Sequence, residues 1–147
     1  MLQNEPIWLT DSQVIEINQR LVAETGEPHF LRDAGLLSSA LARPKNRWFY
    51  GDCDIVSLAG SLLLGLGQNH PFEQGNKRTA LAAAAVFLSL NGYTLVAPDG
   101  EPLSTFVEWS ITGEISEPAF MKTLGQCIVT TEEWEEYQRQ KSEAPES

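Results

Sequence analysis

Basic residues are scarce in this chain: ten Lys and Arg stand against twenty Asp and Glu, for a formal net charge of −10. Such a balance repels polyanions, and no local basic stripe offsets it, so nucleic acid is excluded as a partner. Cysteine is equally sparse. Cys53 and Cys127 have no second Cys or His at ligand spacing, which argues against zinc, and both are expected to be reduced and packed. No apolar run is long and unbroken enough for a membrane span, and Met1-Leu2-Gln3-Asn4-Glu5 lacks the basic start of a secretory signal; a cytoplasmic protein without a membrane partner is expected. What remains is ordinary: 147 residues, 42% of them hydrophobic, enough for one domain spanning 1–147 around one core.

The chain is organised around a polar loop, His70-Pro71-Phe72-Glu73-Gln74-Gly75-Asn76-Lys77-Arg78, that runs directly into the apolar stretch Thr79 to Leu90. Gly75 permits a turn that a side chain would obstruct, so the main-chain N–H groups of Asn76 and its neighbours can point outward together at a helix N-terminus. Helix dipoles favour negative charge at that place, and Lys77 and Arg78 add two full positive charges. Arg supplies the planar fork that matches phosphate oxygens, which makes phosphate the expected ligand. His70, a few residues upstream, is the side chain best suited to take a proton near neutral pH. Phe72 is expected to plug the loop into the core. Singly, His70 would read as a satisfied core histidine and Lys77-Arg78 as a solvated first turn. Their order together points to chemistry.

That order, His70-Pro71-Phe72 followed by Gly75-Asn76-Lys77-Arg78-Thr79-Ala80, resembles the signature of the Fic/Doc family, closest to its Doc (death-on-curing) branch. The resemblance extends through Leu31 to Leu37, Ala40 to Pro44 and Phe87 to Gly92, and it weakens beyond. It implies a single all-helical domain with at most a small β-hairpin flap. His70 would be the general base on a Ser or Thr hydroxyl of a target protein, and Gly75, Asn76, Lys77 and Arg78 would hold the phosphates of ATP. Relatives bind magnesium through an acidic residue just before the Gly. Here that position is Gln74, which offers only a neutral oxygen, and Glu73 has the right charge one position off. Magnesium held mostly by ATP's own phosphates is the expected arrangement.

The branch transfers the terminal phosphate, to a translation elongation factor, and its members are toxins restrained by a separate antitoxin. The neighbouring branch transfers AMP and usually carries Gly where Lys77 stands and a second Arg where Leu81 stands, so the resemblance leans to phosphotransfer. A catalytically silent binding module with the same fold is the alternative from another class. Ser110 to Glu114 has the first spacing of the family's inhibitory motif but continues with Ile115, so no inhibitory segment is expected in the chain itself.

Elsewhere the signals are local. Thr10 and Gln13 form a capping box for a helix with Val14, Ile17 and Leu21 inward, stopping near Thr25-Gly26. Asp33 caps a short helix burying Leu36, Leu37, Ala40 and Leu41 that should end at Pro44. Trp48-Phe49-Tyr50-Gly51 suits an extended or hairpin segment, either the flap that pairs with the target or aromatics packed on the bundle. Asp52 or Asp54 caps the helix from Ile55 to Leu66, where Gly65 and Gly67 mark close approach or fraying. The run after the motif is apolar on nearly every side and should be the central, most buried helix. Tyr93 to Val96 is expected as an extended link to a loop at Pro98-Asp99-Gly100. A helix over Ser104–Ile111 follows, then one capped by Ser116 with Phe120, Leu124 and Ile128 inward. Thr131 caps a final acidic helix within 131–147 that frays into a tail.

Overall fold

Thr10 opens helix α1 (Asp11–Glu24) as the capping box requires: its hydroxyl accepts from the Gln13 amide at 3.2 Å, and the Gln13 side chain accepts from the Thr10 amide at 2.9 Å. The coordinates are a computed structural model that describes residues 2–97 and 103–143. The buried stripe of α1 is Val14, Asn18 and Val22, spaced by four, and Ile17 and Leu21 are only half-buried. The expected face was displaced because the middle of the true one is polar.

Helix α2 (Ala34–Phe49) is capped by Asp33, whose side chain accepts from the Leu36 amide at 2.9 Å. It does not stop at Pro44. Proline costs one backbone hydrogen bond there, but Pro44 is buried and α2 lies along its neighbour for its whole length, so packing carries the helix past the weak point. In consequence Trp48, Phe49 and Tyr50 form no hairpin. Trp48 and Phe49 complete the last helical turn and Tyr50 ends it; Trp48 packs on the core, while Phe49 and Tyr50 are 70% and 92% exposed.

Helix α3 (Ile55–Asn69) takes its cap from Asp54, which accepts from the Val56 amide at 3.0 Å; Asp52 instead accepts from the Ser57 hydroxyl and the Asp54 amide. Every residue from Leu58 to Gly67 is buried. A Cβ on Gly67 would lie 2.3 Å from the Ile111 Cδ1, so glycine here serves close approach and not fraying. Helix α4 (Asn76–Leu90) packs on α1 and α3 through Ala80, Ala83, Ala84, Phe87 and Leu88, but Val86 and Leu90 are exposed. The most enclosed helix is therefore α3, not the one after the motif. Apolar residues on all sides permitted burial of α4, and the number of neighbours limited it.

Strand β1 (Tyr93–Leu95) is followed by α5 (Leu103–Thr112), α6 (Glu117–Gln126, capped by Ser116), β2 (Ile128–Thr130) and α7 (Thr131–Glu143). The two strands pair antiparallel, Tyr93 with Thr130 and Leu95 with Ile128, so the link expected at Tyr93 is a strand and Ile128 belongs to its partner, not to the α6 stripe. The acidic helix is present, but Thr130, not Thr131, supplies its cap, accepting from the Glu133 amide at 3.1 Å. The loop expected at Pro98-Asp99-Gly100 and the tail beyond Glu143 lie outside the described residues. The buried apolar side chains other than Val22 and Cys127 form one cluster from Leu9 to Leu124, making a helical bundle with a small two-stranded sheet. Both cysteines are free, and no described helix is long and apolar enough to cross a membrane.

Candidate active site

The motif loop joins the C-terminus of α3 to the N-terminus of α4, and two left-handed residues shape it. His70 ends α3 at φ 49°, the one positive φ outside glycine among the described residues, and Gly75 starts α4 at φ 75°. The strained histidine is held by its backbone: Arg32 donates from Nε to the His70 carbonyl at 3.0 Å and from Nη2 to the same oxygen. Its ring is exposed and makes no hydrogen bond among the described residues. Phe72 is 1% exposed and anchors the loop in the core as expected.

Asn76 closes the loop. Its Oδ1 accepts from the Phe72 amide at 3.0 Å and its Nδ2 donates to the Phe72 carbonyl at 2.8 Å. The amide side chain is thus committed to loop geometry, and what Asn76 offers a ligand is its main-chain N–H. The first turn of α4 makes its first helical bond from the Thr79 amide to the Gly75 carbonyl at 2.9 Å, which leaves the N–H groups of Asn76, Lys77 and Arg78 without partners among the described residues. Three unpaired donors at a helix N-terminus are the arrangement that suits an anion.

A cleft of about 450 Å³ opens over this turn, lined on one side by Gln74, Gly75, Lys77, Arg78 and Leu81 and on the other by Ser104, Val107 and Glu108 of α5. Both cations carry carboxylate partners: Lys77 Nζ lies 2.7 Å from Glu108, and Arg78 Nη2 lies 2.5 Å from Glu27. Thr25 completes the second group, accepting from Arg78 Nη1 at 3.1 Å and donating to Glu27. The Thr25 hydroxyl and then the Arg78 guanidinium hold the Glu27 carboxyl below its ordinary range. A second, smaller cleft of about 320 Å³ lies on the other side of the loop, lined by Arg32, His70, Phe72, Glu73 and Asn76. His70 lines both clefts, whereas Glu73 lines only the smaller and Gln74 only the larger.

Beside the smaller cleft the chain is extended. Leu31 bridges Phe72 antiparallel, with Arg32 donating to the Pro71 carbonyl at 2.8 Å and Glu73 donating to the Phe30 carbonyl at 3.0 Å. In this pattern the N–H and C=O of Leu31 point to the opposite edge, where another strand can add. The strand-like segment next to the histidine is thus Phe30–Arg32. Trp48, Phe49 and Tyr50 do not contribute to either cleft.

Residues 8–88 match the sequence profile described as the Fic/DOC family. The chain belongs to the Fic/DOC family. Over 69 residues it is 45% identical to the Toxin Doc of Mycolicibacterium smegmatis, a match covering 46% of this chain and 53% of that protein. Over 125 residues it is 26% identical to the Protein kinase doc of Escherichia phage P1, covering 84% of this chain and 98% of that one. The chain thus spans about half of the first of these relatives and nearly all of the second.

The site holds residues that reading the sequence did not single out for it: Asn18, Thr25, Glu27, His29, Arg32 and Glu108. One signal was available. Asn18 is the lone polar residue on the buried stripe of α1, and a buried amide there needs partners. Glu27 and Glu108 come from elements distant in sequence, and nothing local marks them.

Proposed function

We propose that this chain transfers a phosphate group from ATP to a Ser or Thr hydroxyl of a target protein. ATP lies in the larger cleft with its terminal phosphate on the N–H groups of Asn76, Lys77 and Arg78. The target segment lies along Leu31 with its hydroxyl in the smaller cleft. His70 accepts the hydroxyl proton, the freed oxygen bonds to the terminal phosphorus, the bond from that phosphorus to the bridging oxygen breaks, and ADP leaves. The observation that carries this reading is that His70 is exposed to both clefts while its backbone is locked by Arg32. The names toxin and protein kinase borne by the relatives agree with it. Leu81, lining the phosphate cleft, is apolar where the AMP-transferring branch carries a second Arg, which favours transfer of the terminal phosphate over AMP.

The donor set does not amount to a protein-held magnesium site. Gln74 is neutral, Glu27 and Glu108 are paired, and Glu73 faces the other cleft. Magnesium enters on the phosphates of ATP, and no step is assigned to a protein-held ion. In the cell the protein acts in the cytoplasm as a toxin, with an elongation factor of translation as the target class and a separate antitoxin as its restraint.

The paired state of Lys77 and Arg78, together with Gln74, favours a second reading, a silent module that keeps the fold and a partner surface. Incubation with γ-labelled and α-labelled ATP in a cell extract separates the two. Label on protein from the γ position alone supports phosphotransfer; label from the α position shows AMP transfer; label from neither leaves the silent module.

A further inference from the structure

One buried side chain touches both walls of the site. Asn18 is 0% exposed, and its Nδ2 donates to the Gln74 carbonyl at 2.8 Å and to the Thr79 hydroxyl at 3.0 Å. Its Oδ1 lies 2.7 Å from His29 Nδ1. A carbonyl only accepts, so the nitrogen of Asn18 faces Gln74 and the oxygen faces His29; His29 therefore carries its proton on Nδ1. Both N–H groups and the oxygen of the amide are engaged, and an amide is planar and rigid.

The two ends reach different functions. The nitrogen end grips the residue before Gly75, where the unpaired N–H groups begin. The oxygen end grips the residue before Phe30–Arg32, the segment that pairs with Pro71 and Glu73 beside the smaller cleft. His29 also lies against Phe72, with ring centroids 5.9 Å apart, so it cannot turn away without disturbing the plug of the motif loop. An anion seated on the turn after Gly75 would restrain the Gln74–Gly75 peptide, and the Asn18 amide is the bonded link from there to His29.

We infer that Asn18 and His29 are positioning residues that couple phosphate binding to the strand-like segment that presents the target. The inference rests on the proposed ATP site and goes beyond it: donor binding orders the acceptor side before the target arrives. Coupling of this kind is typically worth about fivefold or more in an equilibrium.

The test is amide hydrogen exchange on the full chain with and without magnesium-ATP. ATP should slow exchange of the Arg32, Asp33 and Glu73 amides, which cross between segment and loop, by about fivefold or more. His29→Phe keeps a ring over Phe72 and removes the Nδ1 donor. At an ATP concentration that saturates it by calorimetry, it should lose the slowing. His29→Gln, which can return an N–H to Asn18, should retain part of it. Should His29→Phe fail to fold, Asn18→Ala at saturating ATP should lose the slowing from the other end. Equal slowing in parent and variant, or ATP binding without slowing in the parent, overturns the coupling. Failure of the parent to bind ATP overturns the donor reading and the coupling with it.

Discussion

Replacing Gly75 by Ala tests whether the proposed anion site depends on the backbone of one residue. At φ 75° an L side chain costs about 1–2 kcal/mol, and loss of glycine's freedom in the unfolded chain returns about 0.4–1 kcal/mol. Space adds to the cost: the new Cβ would stand 3.1 Å from Val22 Cγ1 and 3.3 Å from both Asn18 Nδ2 and Arg78 Nη2. Val22 is buried and Asn18 is held by three hydrogen bonds, so the part-exposed Arg78, although paired with Glu27 and Thr25, is the neighbour that gives. With crowding included the loss comes to about 1.5–3 kcal/mol, which lowers the melting temperature by about 3–10 °C in a chain of this size. Displacing Arg78 from above the unpaired N–H groups removes a charge-assisted contact, and ATP affinity should fall about tenfold. Thermal unfolding by circular dichroism and binding by calorimetry read the two effects. Gly75→Asn separates them, because Asn tolerates the left-handed region better but brings the same Cβ: stability should suffer less and affinity as much. A Gly75→Ala protein that melts within about 1 °C of the parent and binds ATP equally well would refute the reasoning.

Three further outcomes follow from His70 and Glu27. His70→Ala should melt with the parent, since the ring makes no hydrogen bond among the described residues, and should lose transfer by about 10²- to 10⁴-fold, read as loss of growth arrest on expression; arrest as strong as the parent's removes His70 as the base. Glu27→Gln keeps an acceptor for Thr25 and Arg78 but releases the guanidinium's charge to the ligand, so ATP should bind more tightly at low salt and the gain should shrink in high salt; unchanged affinity sinks it. Because the folded-state pKa of Glu27 lies below its ordinary 4.5, its contribution to stability is present above that value and is lost as pH falls through the depressed one. The parent's melting temperature should therefore drop more steeply below pH 4.5 than that of Glu27→Gln.

Features encoded by neighbours in sequence were the legible ones. The capping box at Thr10, the caps at Asp33 and Ser116, and the burial of Phe72 follow from residues within one turn of each other, and the structure has them in place. Pro44 was misleading because its local penalty is real but small against the packing of a long helix on α3. The β1–β2 pairing joins residues more than thirty positions apart in segments of three residues each, too short to show a period. In the site, the loop residues were legible as a unit, whereas the carboxylates that meet Lys77 and Arg78 were not, since only the fold brings Glu27 and Glu108 to them. Aromatic propensity suits Trp48 to Tyr50 to an extended segment beside the histidine, one of the two readings that stretch allows. The segment lies instead at Phe30–Arg32, where the neighbouring helix cap at Asp33 drew the reading.

The grip on His70 is on its carbonyl and not on its imidazole, and this separates two kinds of inheritance. Folding depends on the peptide at position 70, and the proposed chemistry on the ring attached to it. Selection against activity can therefore act by a single replacement there, and later selection can reverse it, with a folded protein at every step. A lineage can carry the protein in a dormant but intact form and recover it without rebuilding the fold.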